Sequence, residues 1–365
     1  MKVLHVNAGL ETGGGLTHII NLLKEAKKEQ EDFTLLCLAA GPVADAARAA
    51  GLRVQVLGIT SRYALSSLRQ LSDFINQNGY EIVHSHGARA NLFLALIKRK
   101  LRAQWCVTVH SDPYLDFEGR GLAGRAFTFA NLRALRRADC VFAVTKRFAN
   151  LVTDKVGVMP KKVHVIYNGT FFHENSEIRA KIAHPGFNLV NVARAEKIKG
   201  QELLLQALKK LDYASVHLYI AGDGPQLPHL KDLVQQLGLG PQVSFQGFLT
   251  QPQLTDLYRQ MDLAVLTSYS ESFPLVLLEA SDHLLPLLAT TVGDIEMMIP
   301  DSEHGFVTPV GDVGELTATL KSALNRPTAD LKKMAAREKD YVAHHFSLQQ
   351  QLTSIVRVYQ ELLAG

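Results

Sequence analysis

Short apolar runs alternate with helix-period stretches from one end of the chain to the other. KVLHVN, FTLLCL, RVQVL, EIVHSH, QWCVTVH, CVFAVT and VHVIY read as strands, many of them bounded by glycine or polar turns. Between them lie stretches such as LTHIINLLKEAKKE and LSSLRQLSDFINQ, in which apolar residues recur at helical spacing. Strand–helix–strand rhythm of this kind predicts right-handed crossovers and a parallel sheet. A second series begins at FNLVNVAR and continues through VHLYIAG, VSFQG, LAVLT, LPLLAT and GFVTP. The pattern therefore predicts an α/β protein of two doubly wound, Rossmann-like domains, residues 1–170 and 188–345. The segment 171–187 lacks clean periodicity and is polar and Pro/Gly-containing at its end, which suits a linker. A last amphipathic helix falls within 346–365. Parallel α/β sheets place ligands at the carboxyl ends of their strands, so two facing sheets put the expected site in a cleft between domains.

Composition narrows the class. With 47% hydrophobic and 20% charged residues the chain reads as a globular protein. No apolar run approaches the length of a membrane span, and the start MKVLHVNAGLETGGG breaks into a glycine loop too early for a signal peptide. Cys37, Cys106 and Cys140 stand singly in apolar runs, as buried thiols of a cytoplasmic protein would. Charge is uneven. Residues 1–180 hold 24 basic and 15 acidic side chains and the remainder 15 and 20, so a local excess of nine positive charges hides inside the net +4. IKRKLR (97–102) and ANLRALRRAD (130–139) contribute much of it. A basic, partly amphipathic half suits peripheral contact with an anionic membrane or an anionic acceptor, and equally an ordinary solvated face. No nucleic-acid recognition motif accompanies the charge.

The candidate chemistry lies in four charged residues. Arg194 and Lys199, in NVARAEKIKG just past a predicted strand, are two cations able to hold a diphosphate through charge-assisted hydrogen bonds of roughly 1.5–3 kcal/mol each. Glu271 and Glu279, in ESFPLVLLE, bracket a helix start, where each can accept hydrogen bonds from sugar hydroxyls. Amides at Phe273 and Leu275 stand where that helix begins and can bind phosphate. The loop Thr12–Gly15 follows the first strand, and its Gly13, Gly14 and Gly15 let backbone amides approach an anion. It fits neither the dinucleotide fingerprint nor a P-loop. His84 and His86 alternate on one strand face and His110 ends the next strand; a third metal ligand is not obvious from the sequence, and Asp-x-Asp is absent. No metal and no cofactor are expected.

The ordered series TGGG, TVHSD (108–112), VIYNG (165–169), the Arg–Lys pair, AGDGP (221–225), VSFQGF (243–248) and the spaced glutamates resembles the retaining glycosyltransferases of family 4, along nearly the whole chain. The resemblance implies the GT-B fold, with two Rossmann-like domains facing across a cleft and the last helix crossing back to the N-terminal domain. It implies transfer of a sugar from a nucleotide donor, UDP being the commonest, to a glycan or lipid-linked acceptor, as in cell-envelope polysaccharide synthesis. By the same resemblance Arg194 and Lys199 hold the departing diphosphate, Glu271 and His110 touch the donor sugar, and Glu279 meets the ribose. The base is expected near Gly247, Phe248 and Leu249. An epimerase or phosphorylase of similar fold, or a non-catalytic sugar-nucleotide-binding subunit, are the alternatives. Two departures from the family pattern stand at Leu284, in place of a glycine, and at Asp294, in place of the second glycine of a Gly-Gly pair.

Overall fold

The computed structural model describes residues 1–11, 14–58, 65–117, 119–178 and 180–365. The chain divides into two compact units, Met1–Gly169 with Leu348–Gly365, and Thr170–Ser347.

In the N-terminal unit the strands are β1 (Lys2–Asn7), β2 (Asp32–Cys37), β3 (Val54–Val56), β4 (Ile82–His86), β5 (Gln104–Val109), β6 (Cys140–Ala143) and β7 (Val163–Val165). They form one parallel sheet in the order β3-β2-β1-β4-β5-β6-β7. Helices cover both faces, so β4 and β6 are buried at every residue, as parallel strands require. One face packs Trp105, Leu71, Ile75 and Leu94. The other packs Ile19 and Leu22 of helix Gly14–Lys28 together with Leu352, Ile355, Val358 and Tyr359 of helix Leu348–Ala364. Each such side chain removed from water stabilises the fold by about 1.5–3 kcal/mol. The last helix in sequence is thus part of the first unit's core.

The C-terminal unit holds β8 (Phe187–Val192), β9 (Val216–Ala221), β10 (Val243–Gly247), β11 (Leu263–Leu266), β12 (Leu287–Thr290) and β13 (Phe306–Thr308), all parallel, in the order β10-β9-β8-β11-β12-β13. Part of the segment read from sequence as a linker is anchored to this unit. Just before it Thr170 bridges to Ser347, and within it the His173 backbone amide donates to the Asp282 carboxylate at 2.8 Å, which also accepts from Lys339 across a 3.2 Å ion pair.

In both sheets the strand order reverses once beside the first strand, at β1/β4 and at β8/β11. Crossover connections leave these points on opposite faces, which opens a crevice at the carboxyl ends. The two clusters described next stand at these points.

Candidate functional site

A cleft of about 810 Å³ opens at the β8/β11 switch point. Val192 and Ala193 line it from the end of β8, Ala221 from β9 and Leu266 from β11, while Phe248 and Leu249 follow β10. Arg194, Lys199, Glu271, Phe273, Leu275 and Glu279 line the same cleft. Eight of the expected donor-site residues are therefore brought together within one unit. Gly247 borders this region without lining the cleft; it sits at a register shift in the β9/β10 ladder.

Lys199 and Glu271 form the centre. The Lys199 ammonium donates to both Glu271 oxygens, at 2.8 and 3.0 Å, and Ser268 Oγ donates to Glu271 Oε1 at 2.6 Å. The loops that carry them are sewn together. Tyr269 N donates to the Ile198 carbonyl at 2.8 Å, and Thr267 Oγ1 donates to the Gly200 carbonyl at 3.0 Å. On the sequence alone Lys199 and Glu271 have separate tasks, one at the phosphate and one at the sugar. The structure shows them as one ion pair, in which the ammonium spends two of its three donors on the carboxylate. One donor is left for an incoming anion.

Arg194 is different. Its side chain is 73% exposed and pairs with Glu196 at 3.0 Å. An exposed pair of this kind is worth about 0–1 kcal/mol, so an anion in the cleft competes for the guanidinium at little cost. Glu279 stands in helix Leu275–Asp282, just over one turn from its start. Burial raises its carboxyl above the usual range, and burial with the Glu279 charge raises the Tyr258 phenol beside it. The start of that helix lines the cleft through Pro274, Leu275 and Val276, adding partial positive charge. The Leu275 amide already donates to the Phe273 carbonyl at 3.0 Å, because the chain turns tightly through Pro274.

Four further residues shape the site. Gly222 and Gly224 of AGDGP line the cleft, and a Cβ on Gly222 would fall 2.0 Å from the Ala193 carbonyl oxygen. Only glycine lets the β8 and β9 ends approach so closely. Ser268 orients Glu271, and Gly293, at φ +57°, lies where a Cβ would sit 2.7 Å from the Glu271 carbonyl oxygen. The glycine motifs were visible in the sequence; the contacts needed the fold.

Gly14, Gly15 and His110 belong to the other unit, and Gly13 falls outside the described residues. Gly14 and Gly15 open helix Gly14–Lys28. His110 lies at the end of β5, at the β1/β4/β5 strand ends. Its Nε2 is 3.2 Å from His86 Nδ1, whose other nitrogen is 2.9 Å from His5 Nδ1. His84 Nε2 meets Thr108 Oγ1 at 2.6 Å and its Nδ1 meets the Tyr359 hydroxyl. His18 stacks edge-on against His110. Burial lowers His5 to about 3 and His18 to about 4, and holds His84, His86 and His110 well below the usual histidine range. The sequence points to His84, His86 and His110; β1 and the first helix bring His5 and His18 to them.

A nucleotide-type cleft at a switch point, in a chain of two doubly wound units, defines a GT-B architecture. Comparison with known proteins agrees. Residues 174–341 match the family model "Glycosyl transferases group 1", and residues 13–169 match "Glycosyl transferase 4-like domain". The chain belongs to this glycosyltransferase family. Its relatives include D-inositol 3-phosphate glycosyltransferase 1 of Catenulispora acidiphila, 24% identical over 78% of this chain and 73% of that protein. Another is α-D-kanosaminyltransferase of Streptomyces kanamyceticus, 26% identical over 77% of each. Among solved structures, Anabaena HepE in complex with UDP superposes with a TM-score of 0.81 at 19% identity, over 99% of this chain and 100% of that one.

Proposed function

We propose that the protein transfers a sugar, with retention of configuration, from a nucleoside-diphosphate donor to a glycan or lipid-linked acceptor. The Lys199–Glu271 pair at the head of the 810 Å³ cleft carries this reading. It sets a cation for the diphosphate against a carboxylate for the sugar hydroxyls, beside a helix N-terminus. The donor's anomeric C–O bond to the diphosphate breaks while the acceptor oxygen bonds to the same face of that carbon. The acceptor's proton passes to the leaving β-phosphate, whose charge Arg194 and Lys199 hold. No covalent nucleophile or metal is needed for such a step. Glu271 orients the sugar, and His110 of the N-terminal unit is proposed to touch it. Glu279, whose carboxyl burial raises above its ordinary value, suits a hydrogen bond to ribose. A uridine donor is supported by the HepE complexes, which hold UDP and UDP-glucose.

A membrane-side acceptor is supported by helix Gly121–Arg137, where Leu122 is 82% and Phe129 59% exposed beside exposed Arg125, Arg133, Arg136 and Arg137. Among the described residues no helix is long and apolar enough to cross a membrane. Work at the cytoplasmic face, in cell-envelope polysaccharide synthesis, follows from that reading.

The test is thermal-shift binding of UDP, GDP and ADP, with and without EDTA. A native-state ligand raises the melting temperature according to its affinity. An EDTA-insensitive shift with UDP is expected; no shift with any nucleotide at millimolar concentration overturns the reading.

A further inference from the structure

Of the histidines at the β1/β4 switch point, only His110 has a part in the proposed sugar transfer, and the others are left without one. Three of them, His18, His86 and His110, each present a ring nitrogen such that all three atoms lie within 4.8 Å of one another. They come from three separate elements. His86 is the last residue of β4, His110 follows β5, and His18 hangs from helix Gly14–Lys28. A tetrahedral zinc ion with bonds of about 2.0–2.1 Å holds its ligand nitrogens about 3.4 Å apart. His86 Nδ1 and His110 Nε2 already stand 3.2 Å apart, so these two rings need shift only by tenths of an ångström.

We propose that His18, His86 and His110 bind a single divalent transition-metal ion of the zinc class, with a fourth coordination position open to water or an exogenous ligand. Imidazole nitrogen in this number selects Zn²⁺, Ni²⁺, Co²⁺ or Cu²⁺ over Mg²⁺ and Ca²⁺, which take oxygen.

A second trio, His5, His84 and His86, is equally close-set, but it is the poorer site. His84 has both nitrogens engaged, by Thr108 and by Tyr359, and all three rings are fully buried. His18 and His110 are only partly buried, which gives an ion a way in. In the proposed site His5 has a supporting part. With the ion on His86 Nδ1, the His86 Nε2–H donates to His5 Nδ1 across the 2.9 Å contact and fixes ring and tautomer. Gln351 Nε2, 3.5 Å from His18 Nδ1, borders the site from the last helix. The ion is assigned no step in sugar transfer.

The experiment treats the full-length protein with EDTA, removes the chelator, and titrates Co²⁺ as a spectroscopic probe. Visible d–d bands of four-coordinate intensity should saturate at one equivalent and be displaced by Zn²⁺. His18→Gln, at a half-buried position that keeps the fold, should weaken Co²⁺ binding at least tenfold with an unchanged circular dichroism spectrum. His110→Gln should do the same. Absence of bands in the wild type, bands that persist unchanged in His18→Gln, or an equal melting-temperature rise with Mg²⁺ would each overturn the site. His344 and His345, neighbours on the other unit, are a source of adventitious binding. Binding retained by His18→Gln and lost in His344→Ala would locate the ion there instead.

Discussion

At the scale of single residues, Glu271 is held by two donors, Lys199 and Ser268, and its function can be separated from theirs. Glu271→Gln keeps a hydrogen-bonding side chain but frees the Lys199 ammonium. Transfer should fall about a hundredfold, as expected when an oriented polar group is lost from a transition state, while UDP binding holds or tightens. Loss of UDP affinity in parallel with turnover would show that Glu271 serves the diphosphate instead. Glu338 offers a test unrelated to the site. Both its oxygens are buried without a hydrogen-bond partner among the described residues, and burial, helped by the Asp301 charge, pushes its carboxyl up to about 9. Below about pH 4.5 the folded and unfolded chains both hold this proton. Above that pH only the folded chain keeps it, so stability falls progressively until about pH 9. Glu338→Gln removes the slope and should stabilise the protein at pH 7 on the order of 2–3 kcal/mol, with little effect near pH 4.5. Urea unfolding of both proteins at pH 5 and pH 8 measures it; a gap that does not widen with pH rejects the account.

Elements set the geometry around those residues. Helix Leu275–Asp282, which carries Glu279, ends in a Schellman arrangement: Leu285 N donates to the Ala280 carbonyl at 3.2 Å and Leu284 N to the Ser281 carbonyl at 2.8 Å. Such an ending needs a left-handed residue, and Leu284 adopts φ +56° where glycine is favoured. The residue that departs from the family pattern thus stands in a backbone conformation that glycine favours. Leu284→Gly and Leu284→Ala both remove the isobutyl branch beyond Cβ, and glycine, which lacks Cβ too, should be the more stable by about 1 kcal/mol. An alanine variant as stable or more so would mean the turn relaxes. Gly293 guards the other loop. Gly293→Ala adds a methyl 2.7 Å from the Glu271 carbonyl at a positive φ, and should cost about 1–3 kcal/mol of stability and displace Glu271. Turnover is expected to drop well beyond any loss of folded protein, measured by comparing kcat with the fraction folded. Wild-type kcat in the folded fraction would release Gly293 from any part in the site.

For the whole molecule the uneven charge becomes a spatial property. The basic excess of residues 1–180 falls in the N-terminal unit, where helix Gly121–Arg137 combines exposed arginines with Leu122 and Phe129. Sedimentation with vesicles containing anionic lipid should show binding that high salt weakens, since each basic residue near such a surface adds about 1 kcal/mol. Replacing Leu122 and Phe129 by serine should reduce it further. Vesicle binding indifferent to both changes would return this helix to an ordinary solvated face.

Strands, helices and the two-sheet plan were legible in the chain because burial on both faces leaves a local record, a short apolar run between turns, that needs no knowledge of partners. Arg194, Lys199 and Glu271 were legible for a similar reason, each standing in the loop that follows a strand, and Glu279 by its place in the helix after that loop. That Lys199 is committed to Glu271, that Leu275 has already spent its amide, and that Leu284 occupies a left-handed turn were decided by the tertiary structure. These depend on distances across loops far apart in sequence. The histidine cluster shows the same division most plainly. Its members are spread from His5 to His110, and only the parallel pairing of β1, β4 and β5, with the first helix laid over them, gathers the rings at one strand end. Periodicity is written residue by residue, whereas convergence is a product of the fold.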